Sequence, residues 1–136
     1  MEKGQKYYYD IPTRSYQALP GGEAFLVMKN FEHQTLWKNS QCRLYHLGNE
    51  VLGLEWYSKM GSIGGEVLEG IQHSIGVAEE KFHGLVIAND AAHFSAGANL
   101  GMIFMLAIEQ DYDELDLAIR LFQNTVMRAQ IGRAHV

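Results

Sequence analysis

A run of small residues interrupts the apolar pattern at residues 93–100, which read HFSAGANL. At Ala96-Gly97-Ala98 almost no side chain separates the backbone from a ligand, and Gly97 can adopt conformations closed to other residues. Peptide N–H groups at a helix start lack partners within the helix and lie at the positive end of its dipole. The run therefore fits one donor of an oxyanion hole, and the alternative is close packing of helix against strand.

Regular elements flank this run and would hold it in place. Leu85 to Ala88 is apolar without alternation, which is typical of a strand covered on both faces, and a helix from about Leu100 to Glu109 follows. From Glu66 onward, apolar residues recur at three and four and share one helix face: Val67, Leu68, Ile71, Ile75, Ala78 and Phe82. Gly84 ends that helix and releases the strand.

A hairpin and a last helix complete the pattern. Cys42 to Leu47 and Val51 to Tyr57 are rich in apolar, aromatic and β-branched residues on either side of Gly48-Asn49-Glu50, which predicts a hairpin. The last helix has acids in its first turn, arginines later, and an apolar stripe of Leu115, Ala118, Ile119, Phe122 and Val126. The order hairpin, helix, strand, helix, helix predicts an α/β fold.

Both ends of the chain differ from this pattern. Residues 1–30 contain Tyr7-Tyr8-Tyr9, two prolines and Gly21-Gly22 and sustain no period, which predicts a linker or the tail of a preceding unit. Residues 131–136, IGRAHV, break off the apolar stripe and match a translated frame of a common sequencing adapter. We interpret them as a non-native scar, so the natural protein is expected to continue beyond Gln130.

Composition excludes several classes of protein. The 136 residues are 47% hydrophobic and 20% charged, which is enough apolar sequence for one globular domain. A net charge of -5 with no basic block disfavours binding to nucleic acid. Cys42 has no partner for a disulfide, and no apolar run has the length of a membrane span, so the expected location is the cytoplasm.

FSAGANL after LVIAND resembles the first oxyanion-hole segment of the crotonase superfamily, the enoyl-CoA hydratases and isomerases. The segments YYYDIPTRSYQALPGGEAF and IGGEVLEGI are similar to bacterial fused 3-hydroxyacyl-CoA dehydrogenase/enoyl-CoA hydratase proteins of fatty-acid β-oxidation. The resemblance implies an incomplete crotonase-like ββα spiral core, with a hairpin and a strand packed by helices. Residues 31–130 would be the N-terminal half of a crotonase-like domain, and residues 1–30 the linker and end of a preceding dehydrogenase unit.

The resemblance also implies roles for individual residues. The Ala98 N–H would donate to the thioester oxygen, the Ala96-Gly97-Ala98 backbone would line the pocket of the CoA adenine, and Lys59 would lie near the CoA phosphates. Asn99 stands where many hydratases have Asp, which leaves the backbone role of Ala98 intact. Acyl-CoA is thus the expected substrate, and association into a homo-oligomer through the crotonase domain is expected by analogy.

Other parts of the family's chemistry are absent from these residues. The second oxyanion donor and the catalytic Glu residues lie later in the family, so no hydratase activity is expected of this chain alone. Charges near the last helix start, at Glu109, Glu114 and Asp116, are interpreted as solvated or matched to the helix dipole rather than as substitutes. No G-x-G-x-x-G follows a strand, so NAD is expected only in missing dehydrogenase domains.

Several alternatives remain beside the enzyme. The chain could be a non-catalytic module that binds CoA thioesters, or a structural module in which the small residues serve packing alone. His46, His83 and His93 lack paired ligand spacing, so no metal site is expected. The run with Met102, Phe104 and Met105 is apolar almost all round and predicts a buried helix, and Ser95 is interpreted as a turn residue rather than a nucleophile.

Overall fold

The structure is a computed structural model of the chain, and it describes residues 7–20 and 26–131. An antiparallel hairpin lies first, with β1 at Tyr7–Asp10 and β2 at Ser15–Ala18. This hairpin was not predicted, since residues 1–30 were interpreted as a linker or the tail of a preceding unit. Tyr9 and Tyr16 face each other across the hairpin with ring centroids 5.3 Å apart, and such cross-strand aromatic pairs stabilise a hairpin despite the nearby prolines. Residues 132–136 of the predicted scar lie outside the described part.

A four-stranded sheet forms the centre of the molecule, in the order β3-β4-β5-β7. Its strands are β3 (Thr35–Lys38), β4 (Cys42–Gly48), β5 (Val51–Trp56) and β7 (Gly84–Ala88). The predicted hairpin is confirmed as β4 and β5, which pair antiparallel, and both residues of its turn, Asn49 and Glu50, have positive φ. This is the combination that a tight two-residue turn requires.

Helix α1, Gly65–Lys81, crosses from β5 to β7, which pair parallel. The predicted helix face is confirmed, since its apolar residues pack on the sheet in a core cluster of Cys42, Leu44, Leu52, Leu54, Trp56, Val67, Ile71 and Ile75. Gly70 lies where an added Cβ would be 2.8 Å from the Cys42 Sγ atom, so helix and sheet approach closely at that point. A crossover between parallel strands needs such a helix.

The prediction that strand β7 is covered on both faces is wrong. Leu85 and Ile87 pack toward the α1 core, whereas Val86, which points to the opposite face, is 48% exposed. That opposite face is covered elsewhere, because a 3₁₀ segment at Met28–Gln34 packs on Tyr45 and Leu47. Met28 is therefore part of the core on this face of the sheet, whereas Val86 remains exposed to solvent.

Two helices follow, α2 at Leu100–Ile108 and α3 at Tyr112–Ile131. The prediction of a helix from Leu100 is confirmed, but the prediction that it is buried is wrong, because none of its residues is buried and Phe104 is 64% exposed. An apolar sequence shows that a helix would gain from burial. Helix α2, however, packs mainly on α3 and has little else beside it to cover its other faces. No helix in the described residues is long and apolar enough to cross a membrane.

Helix α3 is tied to α1 by polar contacts. The Gln72 Nε2 atom donates to the Thr125 Oγ1 atom at 2.7 Å, and Arg128 pairs with Glu79 at 3.1 Å. Thr125 is fully buried, so its hydroxyl also donates to the Leu121 carbonyl oxygen at 2.7 Å. These contacts place α3 beside α1 and let α2 and α3 enclose the space in front of the small-residue run.

Candidate functional site

The small-residue run forms a turn between β7 and α2. It ends in a short strand, β8 (Gly97–Ala98), which pairs parallel with β6 (Ser62–Ile63). Asn99 then begins α2 as its N-cap, because its Oδ1 atom accepts from the N–H groups of Gly101 at 3.1 Å and Met102 at 3.4 Å. The Asn99 side chain thus stabilises the helix start, and its amide is engaged there.

Ser95 joins the turn to a distant part of the chain. Its Oγ atom accepts from the Gly97 N–H at 2.9 Å and donates to the Gly61 carbonyl oxygen at 2.9 Å. Gly61 lies in a 3₁₀ turn, Lys59–Gly61, that immediately precedes β6. One hydroxyl group therefore links the two segments whose strands pair.

The Phe94 carbonyl oxygen is a second anchor of the turn. It accepts from the Trp56 Nε1 atom at 3.2 Å and from the Asn89 side-chain amide. The Trp56 and Phe94 rings also pack together, with centroids 4.9 Å apart. Because Trp56 is 3% exposed and belongs to the main core cluster, this contact ties the turn to that core.

Glycine is required at two positions here for different reasons. Gly97 has φ +83° with no atom within 4 Å of an added Cβ, so the conformation alone favours glycine. Gly61 has φ +66°, and an added Cβ would lie 3.0 Å from the Phe94 carbonyl oxygen. The two turns approach each other at that glycine, which the sequence pattern did not indicate.

The orientation of the Ala98 N–H follows from the strand pairing. The N–H of the next residue, Asn99, donates to the Ile63 carbonyl oxygen at 3.3 Å. Successive N–H groups of an extended chain point to opposite sides, so the Ala98 N–H points away from β6. Ala98 lines a cavity of about 600 Å³, so a backbone donor outside the β6–β8 ladder lies at the wall of a cavity.

Apolar side chains of α2 and α3 form most of this cavity. Its wall comprises Ile63, Gly64, Gly65, Leu68, Ala98, Asn99, Met102, Ile103, Leu106, Glu114, Leu117, Ala118, Ile119, Leu121, Phe122 and Gln123. The N-terminus of α1 opens onto it at Gly64, whose position carries no side-chain cap. The positive end of the α1 dipole therefore favours negative charge at this side of the cavity.

Glu109, Glu114 and Asp116, which received one common interpretation from the sequence, have different surroundings in the structure. Glu114 belongs to the cavity wall, whereas Asp116 pairs with Arg120 at 2.5 Å on the surface and Glu109 caps the end of α2. Glu114 also lies in the first turn of α3, which agrees with its interpretation as a dipole-matched charge. Its place beside α2 depends on how α3 folds back, which spacing in the sequence does not reveal.

The remaining predicted site residues lie around the turn. Ala96 and Lys59 are both exposed, and Lys59 belongs to the same 3₁₀ turn as Gly61, which accepts the Ser95 bond. Lys59 is thus near the turn in the fold although 37 positions before Ala96 in the sequence. The network of Ser95, Gly61, Trp56 and Asn89 was missed, and no spacing signal could have found it.

Other reactive side chains are engaged elsewhere. The His83 Nδ1 atom lies 2.8 Å from Glu50, and the His46 ring packs on Phe82 with centroids 5.5 Å apart. Within residues 7–20 and 26–131, no three His, Cys, Asp or Glu side chains converge as a metal site would require. Burial, together with the charges of Glu66 and Glu69, raises the pKa of the Cys42 thiol to about 12, which disfavours the reactive thiolate.

No family model matches the chain. It is 33% identical over 129 residues to the Probable 3-hydroxyacyl-CoA dehydrogenase of Bacillus subtilis (strain 168), which confirms the resemblance to such proteins. That alignment covers 93% of this chain but spans only 16% of the relative's length.

Two solved structures are similar at lower identity and over half of this chain or less. The ECH2 decarboxylase domain of CurF from Lyngbya majuscula matches with a TM-score of 0.43 and 19% identity, over 50% of this chain and 30% of that one. A variant of the same domain matches with a TM-score of 0.42 and 20% identity, over 48% and 28%. Likeness at this level carries no conclusion about chemistry.

Proposed function

We propose that the chain is part of a longer fatty-acid β-oxidation enzyme, the enoyl-CoA hydratase region of a fused 3-hydroxyacyl-CoA dehydrogenase. In this proposal it supplies one oxyanion donor and part of the acyl-CoA pocket. The observation that supports the proposal is that Ala98, whose N–H points away from β6, lines a largely apolar cavity of about 600 Å³. The similarity to the much longer Bacillus relative supports it.

The proposed chemistry begins with a hydrogen bond from the Ala98 N–H to the thioester oxygen. This bond is worth about 1 kcal/mol to a neutral carbonyl group, because the oxygen exchanges one partner in water for another. It strengthens as negative charge develops on the oxygen in an enolate, where one such donor contributes roughly 3 kcal/mol. The positive end of the α1 dipole at Gly64 would add to the same stabilisation.

Hydration would need more than this donor. A base must deprotonate water and an acid must protonate the α-carbon, while the oxyanion hole stabilises the enolate. Among the described residues of the cavity wall, Glu114 alone carries a carboxyl group. The proposal therefore assigns thioester binding and polarisation to this chain, and NAD binding and the remaining acid-base groups to other parts of the enzyme. Lys59 would meet the CoA phosphates from its exposed turn.

The test compares two ligands that differ at a single group. Butyryl-CoA has the thioester carbonyl group, whereas butyl-CoA, a thioether, has a methylene group in its place. Calorimetric titration of the 136-residue chain should give a preference for the thioester of about two- to tenfold, the equivalent of one net hydrogen bond. Ala98→Pro removes the N–H without breaking a ladder bond, since that N–H points away from β6, and should abolish the preference.

Ala98→Gly is the matched control, because it changes the side chain but keeps the donor, and its preference should equal that of the wild type. A preference that survives in Ala98→Pro contradicts the proposed donor. Binding of neither ligand by the folded wild type supports the alternative of a structural module. Hydration of crotonyl-CoA, followed by loss of its ultraviolet absorbance, should not exceed the rate in buffer, and measurable turnover would contradict the division of groups proposed above.

A further inference from the structure

The hydroxyl group of Ser95 makes two hydrogen bonds at once. It has one proton and two acceptor sites, so it can donate to the Gly61 carbonyl oxygen and accept from the Gly97 N–H, both at 2.9 Å. Its proton is thus directed at a carbonyl oxygen, which cannot act as the base that a nucleophilic serine requires. The contacts of the Ser95 hydroxyl therefore hold the backbone of the turn in place.

Hydrogen bonds fix the N–H groups of the residues on both sides of Ala98. On one side, Ser95 fixes the Gly97 N–H while Gly97 holds φ at +83°. On the other side, the Asn99 N–H is fixed to the Ile63 carbonyl oxygen at 3.3 Å. The Ala98 N–H lies between these two fixed groups. Loss of the Ser95 hydroxyl would release the Gly97 N–H from its side-chain contact and leave only the pairing of β8 with β6 to orient the peptide.

We infer that Ser95 is a positioning residue, whose hydroxyl ties the turn to Gly61 and thereby aims the Ala98 N–H at the thioester oxygen of a bound acyl-CoA. This inference rests on the proposed function and adds a requirement to it. A donor contributes to polarisation only when its direction is fixed before the ligand arrives, because reorientation would consume part of the interaction. Ser95 supplies that fixed direction through contacts that do not touch the ligand.

The test uses a readout that a purely structural serine would not change. Isotope-edited infrared spectra of crotonyl-CoA labelled with ¹³C at the carbonyl group report hydrogen bonding to its oxygen as a shift to lower wavenumber. The wild-type complex should show this shift, together with the thioester preference over butyl-CoA. Ser95→Ala should lose most of the shift and bring the preference close to one. Ser95→Thr, which keeps a hydroxyl group, should restore both.

Ser74→Ala is the matched control for the loss of a serine hydroxyl. The Ser74 Oγ atom donates to the Gly70 carbonyl oxygen at 2.6 Å, and Ser74 is fully buried. It lies six residues along α1 from Leu68, the nearest residue of that helix in the cavity wall, which is about 9 Å of helix. Ser74→Ala should lower the melting temperature but leave the infrared shift and the thioester preference at wild-type values.

The outcomes separate the inference from the proposed function. If the wild type shows neither shift nor preference, the proposed function fails and the inference falls with it. If the wild type shows both and Ser95→Ala retains both in full, only the positioning role is overturned. All spectra are recorded well below the melting temperature of each variant. Should Ser95→Ala not fold, Ser95→Cys serves instead, since a thiol of similar shape forms weaker hydrogen bonds and should reduce the shift.

Discussion

Gly97 and Gly76 allow the left-handed turn to be tested with one chemical change. An added Cβ meets no atom within 4 Å at either position. Gly97 has φ +83°, whereas Gly76 lies inside α1 with helical geometry. Substitution of each by alanine therefore removes the same freedom from the unfolded chain, and the two variants differ only in the backbone conformation that the new residue must adopt.

The expected effects have opposite signs. Gly76→Ala should raise the free energy of unfolding by about 0.5 to 1 kcal/mol, because alanine is the better helix former. Gly97→Ala should lower it by about 1 to 2 kcal/mol, because a Cβ in the left-handed region approaches its own backbone. The difference between the two variants is then about 1.5 to 3 kcal/mol, which corresponds to roughly 6 to 12 °C in melting temperature for a domain of this size.

Urea unfolding followed by circular dichroism measures both variants against the wild type, with the slope of the transition checked for constancy. Equal stabilisation by the two substitutions would refute the reasoning, since it would mean that residue 97 does not require a positive φ. Destabilisation by both would place an unrecognised steric contact at Gly76. Gly64 offers a further control, because it also has open space around an added Cβ.

Two further predictions concern the contact of α1 with the sheet. Gly70→Ala should destabilise the fold by about 1 to 3 kcal/mol, because its Cβ would lie 2.8 Å from the Cys42 Sγ atom. This loss of stability should be smaller in a Cys42→Ala background, which lacks the sulfur atom. Equal losses in both backgrounds would contradict the contact. The pKa of the Cys42 thiol is raised to about 12, so its contribution to stability is present below the unfolded value of about 8.5 and is lost as pH rises toward 12. Stability measured against pH should therefore fall more steeply above pH 9 in the wild type than in Cys42→Ala, and identical slopes would show that burial does not raise this pKa.

Much of the fold could be predicted because its signals are local. The recurrence of apolar residues from Val67 to Ile75 identified α1, and the apolar runs around Asn49-Glu50 identified the hairpin. The N-terminal hairpin was missed because Tyr7-Tyr8-Tyr9 shows no alternation and prolines follow, although the pairing of Tyr9 with Tyr16 across the turn stabilises it. Local signals therefore identified elements but not every pairing.

Burial was harder to predict than secondary structure. The apolar segments around Val86 and Phe104 predicted burial, yet Val86 is 48% exposed and Phe104 is 64% exposed. Hydrophobicity determines which residues gain from burial, whereas the number of elements packed around them determines whether burial occurs. Exposure of these side chains is thus a property of the assembled elements.

The sequence by itself determined the small-residue turn, since only residues without bulky side chains leave a backbone N–H open to a ligand. It also determined the helix and strand on either side of Ala98. Only the tertiary structure decided what fixes that N–H: Ser95 meets Gly61 across 34 positions, and Trp56 meets Phe94 across 38. The physical reason is that a hydrogen bond depends on distances and angles of a few tenths of an ångström, which arise only after the sheet, α1 and the two turns have packed together.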